Sequence, residues 1–310
     1  MRLVFAGTPA VAIPSLDALA DSGHEIAAVI TRADAPLGRK RVLTPSPVAE
    51  AAAARGIPVI KANRLDETAT AEIAALQPDL GVIVAYGGLV REPLLSTPRL
   101  GWINLHFSLL PRWRGASPVQ RAVIAGDADT GAAVFQLVAE LDAGAVFGSF
   151  STPIPPDATS GSLLDALSHS GAELLLRVVD ELAAGTATSI EQSGDVTLAP
   201  KLVIDDARID WNAGATEVYN RLRGVTPEPG AFTVIGDARF KLLEVSPVDE
   251  QLTLELPNLP AGTIRAHDKK VLIGTATEPL ELLRVQPAGK NPMNAIDWWR
   301  GVATTEVVAS

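Results

Sequence analysis

Residues 2–31 read Arg-Leu-Val-Phe-Ala-Gly-Thr-Pro-Ala-Val-Ala-Ile-Pro-Ser-Leu-Asp-Ala-Leu-Ala-Asp-Ser-Gly-His-Glu-Ile-Ala-Ala-Val-Ile-Thr. Two apolar runs, Arg2–Ala6 and Glu25–Thr31, read as short buried strands around an Ala/Leu-rich helical stretch, Val11–Ser22. A strand, a helical return and a second strand apolar on both faces make the unit of a parallel sheet. The rhythm continues outward. Helices are expected over Val48–Arg55 and Glu67–Leu76, with a strand at Ile57–Ile60 between them. Further strands follow at Leu80–Ala85 and Trp102–Leu105, a helix at Ser117–Ala125, and strands at Ala132–Val138 and Val146–Phe150. This alternation predicts an α/β, Rossmann-like, doubly wound and mostly parallel sheet. Ligands of such sheets sit beyond the carboxyl ends of the strands. The turn Gly7-Thr8-Pro9 is no dinucleotide fingerprint, because Gly-x-Gly-x-x-Gly is absent and Pro9 and Pro14 stiffen the backbone there.

After a helical stretch at Ser160–Ala184 the texture changes. Residues 185–193 are small and polar, and a linker is expected over 189–203, dividing a domain over 1–188 from one over 204–310. The second part shows short β-type pieces at Ala231–Ile235, Phe240–Val245, Leu252–Leu256, Lys270–Ile273 and Pro279–Val285, with a short helix at Val218–Gly224. Gly and Pro punctuate them, as in a small barrel.

The 310 residues are comfortable for two domains, and 47% hydrophobic against 20% charged residues suffices for a sizeable core. No cysteine is present, which excludes thiolate chemistry and Cys-ligated zinc. No stretch has the roughly 18 apolar residues of a membrane span, and the first apolar run is too short for a signal peptide. A cytoplasmic monomer without metal or membrane contact is expected. The net charge of -10 argues against broad nucleic-acid binding. Residues 32–41 depart from it: Arg32, Arg39, Lys40 and Arg41 stand against Asp34 alone. With Pro36, Gly38, Pro45 and Pro47 around it, this is a non-helical excursion with a basic tip, either a solvated loop or a contact for phosphates.

The chemistry-bearing run is 104–117, Asn-Leu-His-Phe-Ser-Leu-Leu-Pro-Arg-Trp-Arg-Gly-Ala-Ser. Asn104 and His106 end an expected strand, and a period of two points them to one face. Asp142 follows in Glu-Leu-Asp-Ala-Gly. Amide, imidazole and carboxylate suit acyl transfer to an amine, which needs an oxyanion held and a proton moved. Taken singly, Asn104 can cap a turn, His106 can be a core residue, and Asp142-Ala143-Gly144 can be an ordinary turn.

The ordered set Asn-x-His, Ser-Leu-Leu-Pro-x-x-x-Gly and Leu-Asp-x-Gly resembles the folate-dependent formyltransferases. The string Ser108–Gln120 is most similar to the branch that acts on methionyl-initiator tRNA, and the likeness runs from Phe5 to Lys290. The resemblance implies formyl transfer from 10-formyltetrahydrofolate to the methionine amine. An amino-sugar formyltransferase or a formyltetrahydrofolate hydrolase is the alternative. It implies Asn104, His106 and Asp142 as catalytic residues, with Asn104 and protonated His106 donating to a tetrahedral oxyanion and Asp142 raising the His106 pKa. It implies folate contacts from Ser108, Leu109, Leu110 and Pro111 and from Tyr86, Gly87, Gly88 and Leu89. It also implies tRNA contacts from Arg39, Lys40 and Arg41, and an OB-like barrel as the second domain. Arg112 and Arg114 flank Trp113, where they meet the folate tail or RNA, or else form salt bridges. The sequence departs from the family in a basic loop one residue shorter, in Ala10 after Gly-Thr-Pro, and in Glu140 before Leu-Asp. The C-terminal part, 201–310, carries 12 Lys/Arg against 15 Asp/Glu, where a tRNA-binding barrel would be expected to show a basic face.

Overall fold

The computed structural model describes residues 1–38, 40–248 and 259–310. The described chain forms two compact units. One comprises Met1–Pro118, Asp129–Thr152 and Leu164–Ala199; the other comprises Val119–Ala128, Pro153–Leu163 and Pro200–Ser310.

The first unit is organised by a seven-stranded sheet. Its chain order is β1 (Arg2–Gly7), helix α1 (Ile13–Ala20), β2 (Glu25–Thr31), a short hairpin of β3 (Ala35–Leu37) and β4 (Val42–Thr44), then α2 (Pro47–Ala54) and β5 (Val59–Lys61). Helix α3 (Glu67–Ala75), β6 (Leu80–Val84), β7 (Trp102–His106), the two-residue β8 (Arg114–Gly115), β9 (Asp129–Gln136), β10 (Val146–Pro153), α5 (Ser160–Ala184) and β11 (Leu198–Ala199) follow, while α4 (Pro118–Ala125), between β8 and β9, and the first turn of α5 are counted with the second unit. Across the sheet the order is β10-β9-β7-β6-β1-β2-β5. The pairs β1/β2, β1/β6, β2/β5 and β6/β7 are parallel, and β7/β9 is antiparallel.

Local chemistry explains the element ends. Ser46 and Asp66 cap α2 and α3 by accepting the Ala49 and Ala69 backbone N–H groups, each at 3.0 Å. Helix α1 starts later than its apolar stretch, because Pro9 and Pro14 confine the chain first to a short 3-10 turn at Ala10–Ala12. Strand β6 is buried on both faces, as a central parallel strand must be. Beside it Trp102 is fully buried, with its indole N–H donating to the Leu94 carbonyl at 2.9 Å. Each large side chain so removed from water contributes about 1.5–3 kcal/mol.

The chain leaves β1 toward β2 and β5, then returns to the other side of β1 as β6. The strand order therefore reverses between β1 and β6, and the loops after their carboxyl ends open the crevice such sheets use for ligands. Thr8 and Tyr86 join those loops, the Thr8 hydroxyl donating to the Tyr86 carbonyl at 3.1 Å. Strand β7 ends beside them with Asn104 and His106.

In the second unit, β12 (Phe232–Ile235), β13 (Ala238–Pro247), β14 (Thr263–His267), β15 (Lys270–Ile273) and β16 (Leu280–Pro287) lie in the order β12-β13-β16-β15-β14, extended by Val307–Val308. The Ile235–Ala309 bridge carries that path back to β12, so the sheet closes on itself as an antiparallel barrel. Trp211, Leu222, Phe240, Leu282 and Val285 fill its core with helix α6 (Ala215–Gly224). The strand expected at Leu252–Leu256 lies outside the described residues.

Candidate active site

Strand pairing puts Asn104 opposite Phe135 and His106 opposite Ala133, both on β9. Asn104 is half-buried. Among the described residues its carboxamide has no hydrogen-bond partner in the protein, so its N–H groups are free to meet a ligand oxygen at the sheet's ligand-binding end.

His106 and Asp142 are both buried. After β9 the chain folds back, with the Gln136 N–H donating to the Ala145 carbonyl at 2.9 Å. This return brings Asp142 Oδ2 to 3.9 Å from His106 Nδ1. Asp142 sits at φ 45°, a left-handed conformation that Asp tolerates better than most residues. Two glycines make the arrangement possible. A Cβ on Gly144 would run into the Gln136 carbonyl oxygen, and one on Gly115 would lie 2.7 Å from the Ala199 carbonyl oxygen. The Gly115 N–H is thereby placed to donate to Asp142 Oδ2 at 2.7 Å.

His106 Nε2 lies 2.8 Å from the Trp113 carbonyl, which can only accept, so Nε2 carries a proton. The second nitrogen faces the Asp142 carboxylate. Burial pushes the His106 pKa below its usual 6.5, against the upward pull of Asp142 and of the Trp113 carbonyl. The expected rise from Asp142 is thus real but is outweighed by desolvation. The resting ring is neutral, with an Nδ1 lone pair beside a carboxylate that would stabilise its protonated form. Direct donation from His106 to an oxyanion would require the ring to exchange one of these two contacts.

This shift has a consequence for stability. Unfolded, the imidazole takes up a proton below about pH 6.5, whereas the buried ring resists it. The contribution is fully present above that pH and is lost as pH falls. Between pH 7.5 and 5, the melting midpoint of His106→Gln is therefore expected to drop less than that of the wild type. Parallel drops would show that the buried ring is not the titrating group.

The residues expected to line the folate pocket fall into two sets. Leu109 and Leu110 are half-buried, Leu89 is 65% exposed, and Gly87 (φ 75°) has open space where a Cβ would stand. These border the open end of the sheet. Ser108, Pro111 and Tyr86 are buried. The Ser108 hydroxyl closes its own loop by donating to the Arg112 carbonyl at 2.7 Å, and the Tyr86 hydroxyl donates to the Ala62 carbonyl at 2.7 Å. Gly88 backs onto the Tyr86 ring. A flat, amide-edged ring fits apolar Leu side chains and accessible backbone of this kind. Arg32, expected only as part of the basic segment, also joins this region. Its guanidinium donates to the Gly87 carbonyl at 3.1 Å, which ties the basic segment to the same loop.

Arg114 is only 9% exposed. It donates through Nε and Nη2 to Gln192 Oε1, at 3.1 and 2.8 Å, and pairs with Glu140 at 3.2 Å. The salt-bridge reading of Arg114 therefore holds. Arg112 lies with its guanidinium 5.7 Å from the Trp113 ring centroid.

The basic segment forms the β3/β4 hairpin, with Lys40 and Arg41 exposed and Leu37, Val42 and Leu43 58–68% exposed. Arg39 lies outside the described residues. In the second unit, Lys270 pairs with Glu281, Arg265 with Glu306 and Arg300 with Asp297, which cancels part of the charge an RNA-facing surface would use. Among the described residues no group of three His, Cys, Asp or Glu could hold a metal ion, and no helix is long and apolar enough to cross a membrane.

The family model described as formyl transferase matches residues 1–179, and that of the formyl transferase C-terminal domain matches 201–303. The chain is 60% identical over 309 residues to the methionyl-tRNA formyltransferase of Clavibacter sepedonicus, covering 100% of both chains. The same identity and coverage hold for that of Leifsonia xyli subsp. xyli. Among solved structures, an N-formyltransferase from Helicobacter canadensis, solved with folinic acid and dTDP-3-aminofucose, shares the fold. Its TM-score is 0.68 at 15% identity, covering 93% of this chain and 99% of that one.

Proposed function

The chain belongs to the formyl transferase family, and from this premise we infer that it transfers a formyl group from 10-formyltetrahydrofolate to the amine of methionyl-initiator tRNA. The observation that carries the chemistry is an Asn104 carboxamide without a hydrogen-bond partner among the described residues, on the same strand as His106, which is buried against Asp142 from the turn after β9, at the ligand end of the sheet.

Formyl transfer needs three things from the protein. Negative charge develops on the formyl oxygen as the amine attacks, and Asn104 supplies an N–H donor for it. The attacking amine must lose a proton. Neutral His106 offers Nδ1, Asp142 stabilises the imidazolium that results, and that proton is returned to the folate N10 as its bond to the formyl carbon breaks, releasing tetrahydrofolate. The folate co-substrate brings the activated formyl group, and the protein's part is to seat it. The half-buried Leu109 and Leu110, together with the open backbone at Gly87, suit that task.

The acceptor is chosen by the hairpin. Lys40 and Arg41 present charge for phosphates, with Arg39 assigned to the same contact. Leu37, Val42 and Leu43 present apolar surface for bases. A reaction between charged initiator tRNA and folate belongs in the cytoplasm, and a monomer carries all the groups named. Lys40→Ala together with Arg41→Ala is expected to raise KM for the charged tRNA and to reduce its log–log salt slope by about 1 for each phosphate no longer neutralised. The folate KM should stay unchanged. An unaltered tRNA KM with an unaltered salt slope would take the hairpin out of acceptor recognition.

A further inference from the structure

Gln192 lies in the segment between the two matched family models, where composition alone reads as a linker. That segment is bound tightly to the site. Ile190 bridges to Val146. The Thr197 hydroxyl accepts the Trp113 N–H at 2.9 Å, and the Thr197 carbonyl accepts the Arg114 N–H at 2.9 Å. Strand β11 then pairs in parallel with β8, Leu198 against Arg114 and Ala199 against Gly115.

Gln192 makes the most directed of these contacts. Its Nε2 donates to the Asp142 carbonyl at 2.7 Å and to the Gly144 carbonyl at 2.9 Å. Its Oε1 accepts both Arg114 donors. The orientation of the carboxamide is unambiguous, because a guanidinium can only donate and a carbonyl can only accept. One side chain therefore clamps the two carbonyls that follow the left-handed Asp142 Cα, those of Asp142 and Gly144, to a buried arginine, itself held by Glu140.

We propose that Gln192 is a positioning residue for formyl transfer, fixing the 142–144 turn so that the Asp142 carboxylate stays opposite His106. The proposal rests on the catalytic reading of that pair. Without the clamp, the Asp142 turn keeps the Gly115 contact at one side-chain oxygen but gives up both backbone anchors, and φ 45° is no longer over-determined. A displacement of an ångström at a reacting group is worth about 10²-fold in rate.

Gln192→Glu is the decisive variant. It keeps the length and the Arg114 contacts, but turns an acceptor oxygen toward two carbonyl oxygens. The assay is steady-state formyl transfer with the full chain, comparing wild type, Gln192→Glu, Gln192→Ala, Asp142→Asn and the Gln192→Glu/Asp142→Asn double variant. Both Gln192 variants are expected to lose about 10- to 100-fold in kcat, with folate and tRNA KM little changed. In the Asp142→Asn background, Gln192→Glu should cost nothing further, because residues acting through one group are not additive. The 15N resonances of the His106 ring should also move in Gln192→Glu, a readout that needs no substrate. Wild-type turnover tests the activity itself, so its failure is separable from failure of the clamp. The proposal is overturned if Gln192→Glu leaves kcat and the His106 resonances at wild-type values, if the loss falls on KM alone, or if the two losses multiply.

Discussion

Asn104→Ala is expected to lower kcat by about 10²–10³-fold, equivalent to about 2.7–4 kcal/mol of transition-state stabilisation, with little change in KM. The size follows from what the carboxamide faces. It is half-buried and makes no hydrogen bond to the described protein, so truncation leaves no buried partner orphaned. The melting midpoint should therefore stay close to wild type, and the loss should fall on chemistry. The split between kcat and KM follows as well, since full negative charge on the formyl oxygen exists only in the transition state. A kcat within about threefold of wild type, far below the loss typical of an oxyanion donor, would remove Asn104 from that role.

His106→Ala and Asp142→Asn should each lower kcat by about 10²–10⁴-fold, the range of positioned acid–base groups. The double variant should be no worse than the poorer single one. The two side chains are buried 3.9 Å apart, so the proton taken by one is stabilised by the other, and neither retains its task alone. A second effect separates them. Asp142→Asn keeps an oxygen that can accept the Gly115 N–H, so its turn should survive. His106→Ala gives up the ring's contact with the Trp113 carbonyl and its edge-on packing against Phe135, and should lose stability as well as rate. Kinetics of the three variants with melting curves would show this. Losses that multiply would mean that the residues act independently.

The elements carrying this site differ in how far the chain announces them. The strand at Trp102–His106 is legible because it is short, apolar and followed by Ser-Leu-Leu-Pro, and its period of two aligns Asn104 with His106 without further information. The doubly wound sheet is legible for the same reason, as apolar runs without alternation need cover on both faces. Asp142 is a different case. Its approach to His106 depends on the β7/β9 register and on the return after Gln136, neither of which has a local signature. Only the company of a known motif points to it. The direction of the His106 pKa is opposite to the one its neighbour suggests, because charge is visible in a sequence and desolvation is not. Arg114 shows the same limit, since the sequence leaves open whether it meets a ligand or forms salt bridges until its burial against Gln192 is seen. Gln192 itself is invisible in the chain. Small polar residues read as linker, and hydrogen bonds to carbonyls 50 and 48 residues away leave no pattern. Barrel closure is likewise a contact between distant ends, Ile235 with Ala309, rather than a property of any strand.

The acceptor decides the account. Labelled formyl from 10-formyltetrahydrofolate should be followed in one reaction containing wild-type protein, methionine-charged initiator tRNA and an amino-sugar nucleotide. Label on the tRNA-bound methionine amine, with little in formate or sugar, is the expected result. Label in formate or in a formylated amino sugar, with the tRNA left unlabelled, would contradict it.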